Sequence, residues 1–230
     1  MADKQSHKVL VVDDDSDILE LLKYNLVKEG YDVKTAEDGK KAVTLAKSFL
    51  PELILLDIMM PNQDGVETCR QLREIPEVAN THITFLTARA EEYSEVAAFD
   101  AGADDYITKP IKPRALMSRI SALFRKEKKS KNKSTAKVVA GGLTIDKSSY
   151  TVDMNGGQFT LPKKEFELLY FLAQNPNKVF SRDDLLQNIW GTDVYVLART
   201  VDVHIRKVRE KIGDGYITTV KGVGYKFEVK

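Results

Sequence analysis

Apolar residues in the first half of the chain come in short runs, and four of those runs end on a reactive polar residue. Val9-Leu10-Val11-Val12 leads into Asp13 and Asp14, and Leu53-Ile54-Leu55-Leu56 into Asp57. Ile83-Thr84-Phe85-Leu86 ends at Thr87, and Tyr106-Ile107-Thr108 at Lys109. Runs of this length between helical patterns predict buried parallel strands near 8–13, 31–36, 53–57, 82–87 and 105–108. Amphipathic helices fit near 16–29, 38–49, 64–75, 91–101 and 113–127. In the first of these, Ile18, Leu19, Leu22 and Leu26 keep helical spacing, and Asp17 with Glu20 offers a capping box. Five alternations predict a doubly wound α/β domain with helices on both faces of a parallel sheet.

The pattern breaks between Lys126 and Lys137, where the text is rich in lysine and has no apolar period. An extended, mobile basic linker over 126–137 is expected, joining domains at 1–125 and 138–230. Beyond it come strand signals at 143–145, 150–152 and 159–161 and helical patterns near 163–174, 182–190 and 199–212. A terminal hairpin follows, from Ile217 to Val220 and from Tyr225 to Val229 across a Gly222/Gly224 turn. Three helices closed by a hairpin predict an α+β winged helix-turn-helix domain.

A chain of 230 residues can carry two cores. No apolar run approaches the roughly 18 residues that cross a bilayer, and the first residues are too polar for a signal peptide. Cys69 is the single cysteine, which excludes an internal disulfide and fits a reducing, intracellular compartment. Its spacing with Val66 and Leu72 places it on an apolar helix face as a buried thiol. The net charge of +1 hides an asymmetry: residues 1–128 carry −5, residues 129–137 carry +4 and residues 138–230 carry +2. Residues 199–230 hold 8 bases and 4 acids, a local excess that suits an anionic partner such as nucleic acid.

Ligands of open α/β sheets bind beyond the carboxyl ends of the strands, so Asp13, Asp14, Asp57, Thr87 and Lys109 should converge. Oxygen ligands of this kind suit magnesium, with Asp13 and Asp14 as candidate metal ligands and Asp57 as candidate nucleophile. Lys109 and Thr87 would contact phosphoryl oxygens. Asp14 and Asp15 could instead be helix N-caps, and Thr87 and Lys109 solvated strand ends. A calcium-binding EF-hand loop beginning at Asp13 fails, because Ile18 stands where glycine is needed and Tyr24 where glutamate is needed. A magnesium-dependent phosphohydrolase would want a second acid two residues after Asp57, and Met59 is there. Without that general base a phosphoaspartate should persist.

In the helix near 199–212, Val201, Ile205, Val208 and Ile212 form the core stripe. Arg199, Val203 and Arg206 lie opposite, flanked by Lys207 and Arg209. The bases suit guanine edges or phosphates, and an outward valine suits thymine methyls; an ordinary solvated face is the alternative.

These motifs resemble a response-regulator receiver domain over residues 1–125, and with the C-terminal half the chain is similar to the OmpR/PhoB subfamily. The receiver likeness rests on Val11-Val12-Asp13-Asp14, Leu56-Asp57-Ile58-Met59-Met60-Pro61, Thr87-Ala88-Arg89 and the text from Gly102 to Pro110. The resemblance implies a flavodoxin-like receiver followed by the winged domain, in a bacterial, cytoplasmic, phosphorylation-activated transcription regulator that is not an enzyme beyond its own phosphoryl transfer and slow dephosphorylation. A sensor histidine kinase would phosphorylate Asp57, and Asp13, Asp14, Asp57 and the Met59 carbonyl would hold Mg2+. Thr87 and Tyr106 match the switch pair. Met60 and Gln63 stand where Leu and Met are usual.

The subfamily also implies a homodimer on phosphorylation, with Val96, Phe99 and Met117 at an apolar centre and an Asp105–Arg119 ion pair across it. Arg199-Thr200-Val201-Asp202-Val203-His204-Ile205-Arg206 resembles its recognition helix, and Val220-Lys221-Gly222-Val223-Gly224-Tyr225 its wing. Arg199, Val203, Arg206, Lys207, Arg209 and Lys221 would then face promoter DNA. His204 would donate to a phosphate or pack the helix. The text from Trp190 to Val196 matches a loop that touches RNA polymerase in some relatives, with Trp190 either in contact or buried as its anchor.

Overall fold

Burial of β-branched and leucine side chains on both faces organises the first half of the chain. In the computed structural model, which describes residues 6–87, 101–131, 137–191 and 199–229 (side chains of 126–131 excepted), five strands form one parallel sheet. They are β1 (Lys8–Val12), β2 (Asp32–Ala36), β3 (Leu53–Asp57), β4 (His82–Thr87) and β5 (Asp105–Thr108), in the order β2-β1-β3-β4-β5. The interior strands β3 and β4 are buried at every residue, whereas β2 at the edge is not. The order reverses between β1 and β3, which places a crevice beyond their carboxyl ends.

Helices α1 (Ser16–Lys28), α2 (Gly39–Phe49) and α3 (Gly65–Glu74) connect the strands. Leu19, Leu22 and Leu26 of α1 pack with Val9, Val11, Leu53 and Leu55 in one core cluster. At the start of α1 the Asp17/Glu20 capping box is not formed, and the N-cap alternative at Asp15 holds. Asp15, not Asp17, accepts the amides of Asp17 and Ile18, since the chain turns into the helix directly after the β1 carboxylates. The helix expected near 91–101 lies outside the described residues except for Ala101.

Helix α4 (Pro113–Lys131) corrects the linker expectation. Its backbone stays helical through Lys131, so 126–131 are not extended, and strand β6 begins at Lys137; residues 132–136 lie outside the described ones. Lysine and glutamate are good helix formers, and extending an existing helix needs no apolar period because nucleation is already complete. The chain divides into two compact units, Met1–Phe124 and Arg125–Lys230.

The second unit opens with an antiparallel sheet of β6 (Lys137–Ala140), β7 (Leu143–Asp146), β8 (Thr151–Met154) and β9 (Gly157–Thr160). Helices α5 (Lys163–Gln174), α6 (Arg182–Ile189) and α7 (Arg199–Ile212) follow. Short strand β10 (Phe180–Ser181) pairs with β12 (Gly224–Phe227), which pairs with β11 (Ile217–Val220). Strands β6 and β10 escape sequence reading: one adjoins lysine-rich text and the other has two residues. Phe166, Leu169, Leu185, Val201, Ile205, Val208 and Phe227 fill this core. The architecture is a flavodoxin-like doubly wound domain followed by a winged helix domain.

Candidate functional site

Four strand ends deliver the pocket. Asp13 follows β1, Asp57 ends β3, Thr87 ends β4 and Lys109 follows β5. The Lys109 Nζ lies 2.8 Å from an Asp13 carboxylate oxygen and 3.1 Å from Asp57. Asp13 and Asp57 are buried, whereas Asp14 is exposed, and all three present oxygens within 4.8 Å of one another. Burial pushes the Asp57 carboxyl above its ordinary range, opposed by Lys109 and reinforced by Asp13. Burial works to lower the Lys109 pKa, yet hydrogen bonds and charge from Asp13 and Asp57 outweigh it and raise it. One ammonium faces three carboxylates, so the cluster keeps excess negative charge that a hard divalent cation would balance. Oxygen-only donors at this spacing fit magnesium.

The loop from Ile58 to Asp64 is held by backbone contact. The Gly65 amide donates to the Ile58 carbonyl at 2.9 Å, and a Cβ at Gly65 would come within 2.1 Å of the Asp57 carbonyl oxygen. Only glycine lets α3 start this close to the end of β3. Asp64 caps that helix through the Glu67 amide. The buried Gln63 donates to Thr68 Oγ1 and Gln71 Oε1, a polar network that fixes the end of this loop against α3. Met59 is 74% exposed.

Thr87 and Tyr106 are both buried. Phe85 pairs with Tyr106 and Thr87 with Thr108, so Thr87 and Tyr106 share one face of the sheet on adjacent strands. The Lys109 amide donates to the Thr87 carbonyl at 2.6 Å, tying the two strand ends together.

Of the residues expected at the dimer face, Asp105, Met117 and Arg119 are described. Val96 and Phe99 lie outside the described residues. Arg119 pairs with Asp105 at 2.9 Å within the same chain, because α4 lies alongside β5 and satisfies the pair locally. Met117 packs against the receiver core. Sequence reading missed a buried node between α3 and the start of β5: Arg73 donates to the carbonyls of Gly102, Ala79 and Thr81 and to the Asp104 carboxylate. The participants are up to 31 residues apart, and no local pattern links them.

In the second unit, Arg199 and Arg206 are exposed and Lys207 partly so. Lys221 is exposed on the turn between β11 and β12, beside Gly222 at φ +76 and the exposed Val223. Three expectations are corrected. Val203 is buried, because α7 is packed over a wider arc than its apolar stripe. His204 is buried, its Nδ1 2.9 Å from the Thr200 carbonyl and its ring edge-on to Trp190, which is the helix-packing role. Arg209 donates to the Ile217 carbonyl and to Thr219 Oγ1, so it clamps α7 to β11. Trp190 is buried; the following residues 192–198 lie outside the described ones. A further cluster not foreseen from sequence joins Arg182, Asp202 and Tyr225.

Residues 9–121 match the response regulator receiver domain family, and residues 156–227 match the C-terminal transcriptional regulatory protein family. The chain is 43% identical to the transcriptional regulatory protein ResD of Bacillus subtilis over 96% of both chains. It is 41% identical, over 96% of both chains, to the alkaline phosphatase synthesis transcriptional regulatory protein PhoP of that organism. Among solved structures, a single-site mutant of RitR aligns with a TM-score of 0.79 at 28% identity, covering 98% of this chain and 100% of that one. DrrB, a Thermotoga maritima OmpR/PhoB homolog, aligns at 0.51 and 36% identity over 97% and 100%.

Proposed function

The chain belongs to the OmpR/PhoB group of response regulators, a receiver joined to a transcriptional regulatory domain, and from that premise we propose that Asp57 is the phosphoacceptor of a genetic switch. The protein is a DNA-binding transcription regulator of the two-component type, with a histidine kinase as its upstream partner. No described helix is long and apolar enough to cross a membrane.

The observation that carries the assignment is the Lys109 ammonium lodged between Asp13 and Asp57 at the strand ends. An Asp57 carboxylate oxygen attacks the phosphorus of a phosphohistidine in line. The new O–P bond forms as the N–P bond breaks, and its electron pair returns to the imidazole nitrogen. Lys109 then pairs with a phosphoryl oxygen and the Thr87 hydroxyl donates to another. Asp13, Asp14, Asp57 and the Met59 carbonyl would hold Mg2+, which when bound screens the charge between carboxylate and phosphoryl group. Met59 offers no acid or base to activate water, so dephosphorylation is slow and the mark persists.

Phosphorylation biases a two-state element. The phosphoryl group gains a hydrogen bond only where Thr87 turns toward it, and the Tyr106 ring, buried on the same sheet face, packs behind that arrangement. Receivers then pair through a face that includes Val96, Phe99 and Met117, and two winged domains reach adjacent half-sites at raised effective concentration. Arg199, Arg206, Lys207 and Lys221 contact the DNA. The segment after Trp190 meets RNA polymerase.

The test is a footprint of promoter DNA by wild-type protein and Asp57→Ala, each with and without acetyl phosphate and magnesium. Wild-type occupancy should rise on phosphorylation and Asp57→Ala should not respond. Equal occupancy in all four conditions refutes the switch and leaves DNA binding standing.

A further inference from the structure

The wing is fastened to α7 at two points seven residues apart. Asp202 accepts from the Tyr225 hydroxyl at 2.6 Å and from Arg182 Nε at 2.7 Å. Arg209 holds the Ile217 carbonyl and Thr219. Seven residues are two helical turns, so Asp202 and Arg209 lie on one edge of α7 about 10 Å apart. Tyr225 belongs to both fastenings, since its ring also lies near the guanidinium groups of Arg182, at 5.1 Å, and Arg209, at 5.8 Å. Arg182 follows β10 directly, and β10 pairs with Tyr225 through Phe180. One tyrosine thus joins the start of α6, the first turn of α7 and the wing strand β12.

Arg199 and Arg206 are also seven residues apart, and they are exposed. Their edge lies about 60° around the helix from the wing-facing edge. Any roll of α7 about its axis would therefore swing these arginines toward or away from the wing. The Arg182 and Asp202 side chains are 32% and 38% exposed, and a pair so open to solvent adds little to stability. Its effect is directional: it sets the roll.

We infer that Tyr225, Asp202 and Arg182 are positioning residues for sequence recognition, fixing the roll of α7 so that helix and wing engage one duplex in register. The inference rests on the DNA-binding reading of α7 and the wing. The base readers stay Arg199, Arg206 and Lys207; the brace determines where they point.

The experiment uses the full chain and a duplex selected by the wild-type protein from a random-sequence pool, with a scrambled duplex beside it. Dimethyl sulfate reports guanine N7 in the major groove, and hydroxyl radical reports the backbone beneath the wing. In Tyr225→Phe and Asp202→Asn, preference for the selected over the scrambled duplex should fall about tenfold, the scale of one misplaced base contact. Hydroxyl-radical protection should shift relative to guanine protection. Arg182→Lys keeps the charge but loses the fixed fork, and it carries the test if the other two variants do not fold. A uniform loss on both duplexes with unmoved footprints would make the cluster merely structural and overturn the inference, as would variants indistinguishable from wild type. A wild-type chain that selects no duplex would overturn the DNA-binding reading and the brace with it.

Discussion

Arg73 reaches from the last turn of α3 to Asp104, 2.8 Å away, and this buried pair fastens the approach to β5. Asp104 is 1% exposed and also accepts the Ile83 amide at 2.8 Å. Removing one partner strands the other charge in the interior. Arg73→Ala should therefore destabilise the receiver by about 3–5 kcal/mol in urea unfolding. A loss under about 1 kcal/mol would mean the pair is not the anchor of that loop.

Gly65→Ala should disturb phosphorylation as well as stability. The added methyl meets the Asp57 backbone, not a side chain that can turn away. A destabilisation of about 1–3 kcal/mol is expected, with slower labelling by acetyl phosphate. Wild-type labelling in the alanine variant would show that the β3–α3 contact does not position Asp57.

Cys69 should resist thiol reagents until the receiver unfolds. Burial pushes its thiol up to about 12, and the group donates to the Ala101 carbonyl. The folded state thus holds its proton more tightly than the unfolded state. This contribution to stability is complete below the ordinary thiol value of 9.0 and is lost as pH rises through about 12. Ellman's reagent should react with native protein orders of magnitude more slowly than with protein in guanidinium; equal rates would place the thiol at the surface.

The start of α6 should be acid-sensitive. Ser181 and Asp184 form a reciprocal capping box, and hydrogen bonds from the Ser181 side chain and amide hold the Asp184 carboxyl below its usual range. A depressed carboxylate stabilises the fold above its unfolded pKa and loses that effect as pH falls through the folded value. Asp184→Asn should lower the melting temperature at neutral pH and flatten its decline in acid. A wild-type pH profile in the variant would remove Asp184 from the account.

Arg206 and Arg209 should separate in their effects. Arg206→Ala should leave unfolding unchanged and weaken DNA binding, with a salt slope smaller by about 1 if it contacts a phosphate. Arg209→Ala should lower the unfolding midpoint, since it strips donors from the Ile217 carbonyl and Thr219. The reverse pattern would exchange their assignments.

The receiver pocket is readable in the sequence because a parallel strand's carboxyl end is local information. Each reactive residue adjoins its own apolar run, and the α/β architecture brings the ends together. The DNA-facing helix is less readable. Its apolar stripe identifies the core side, but Val203, His204 and Arg209 are taken up by neighbours the stripe does not report. The basic text after Arg125 misleads because charge without apolar period also suits the continuation of an existing helix.

The sequence by itself determined the two domains' fold classes, the strand-end cluster of Asp13, Asp57, Thr87 and Lys109, and the buried thiol of Cys69. These follow from periodicity and from residues adjacent in the chain. Tertiary structure alone decided which charges find each other. Arg73 on Asp104, Arg119 on Asp105 and Arg182 on Asp202 pair across 31, 14 and 20 residues. Such pairing depends on how helices seat against strands. An arginine bound for solvent and one bound for a carboxylate look alike until the fold brings the carboxylate within reach.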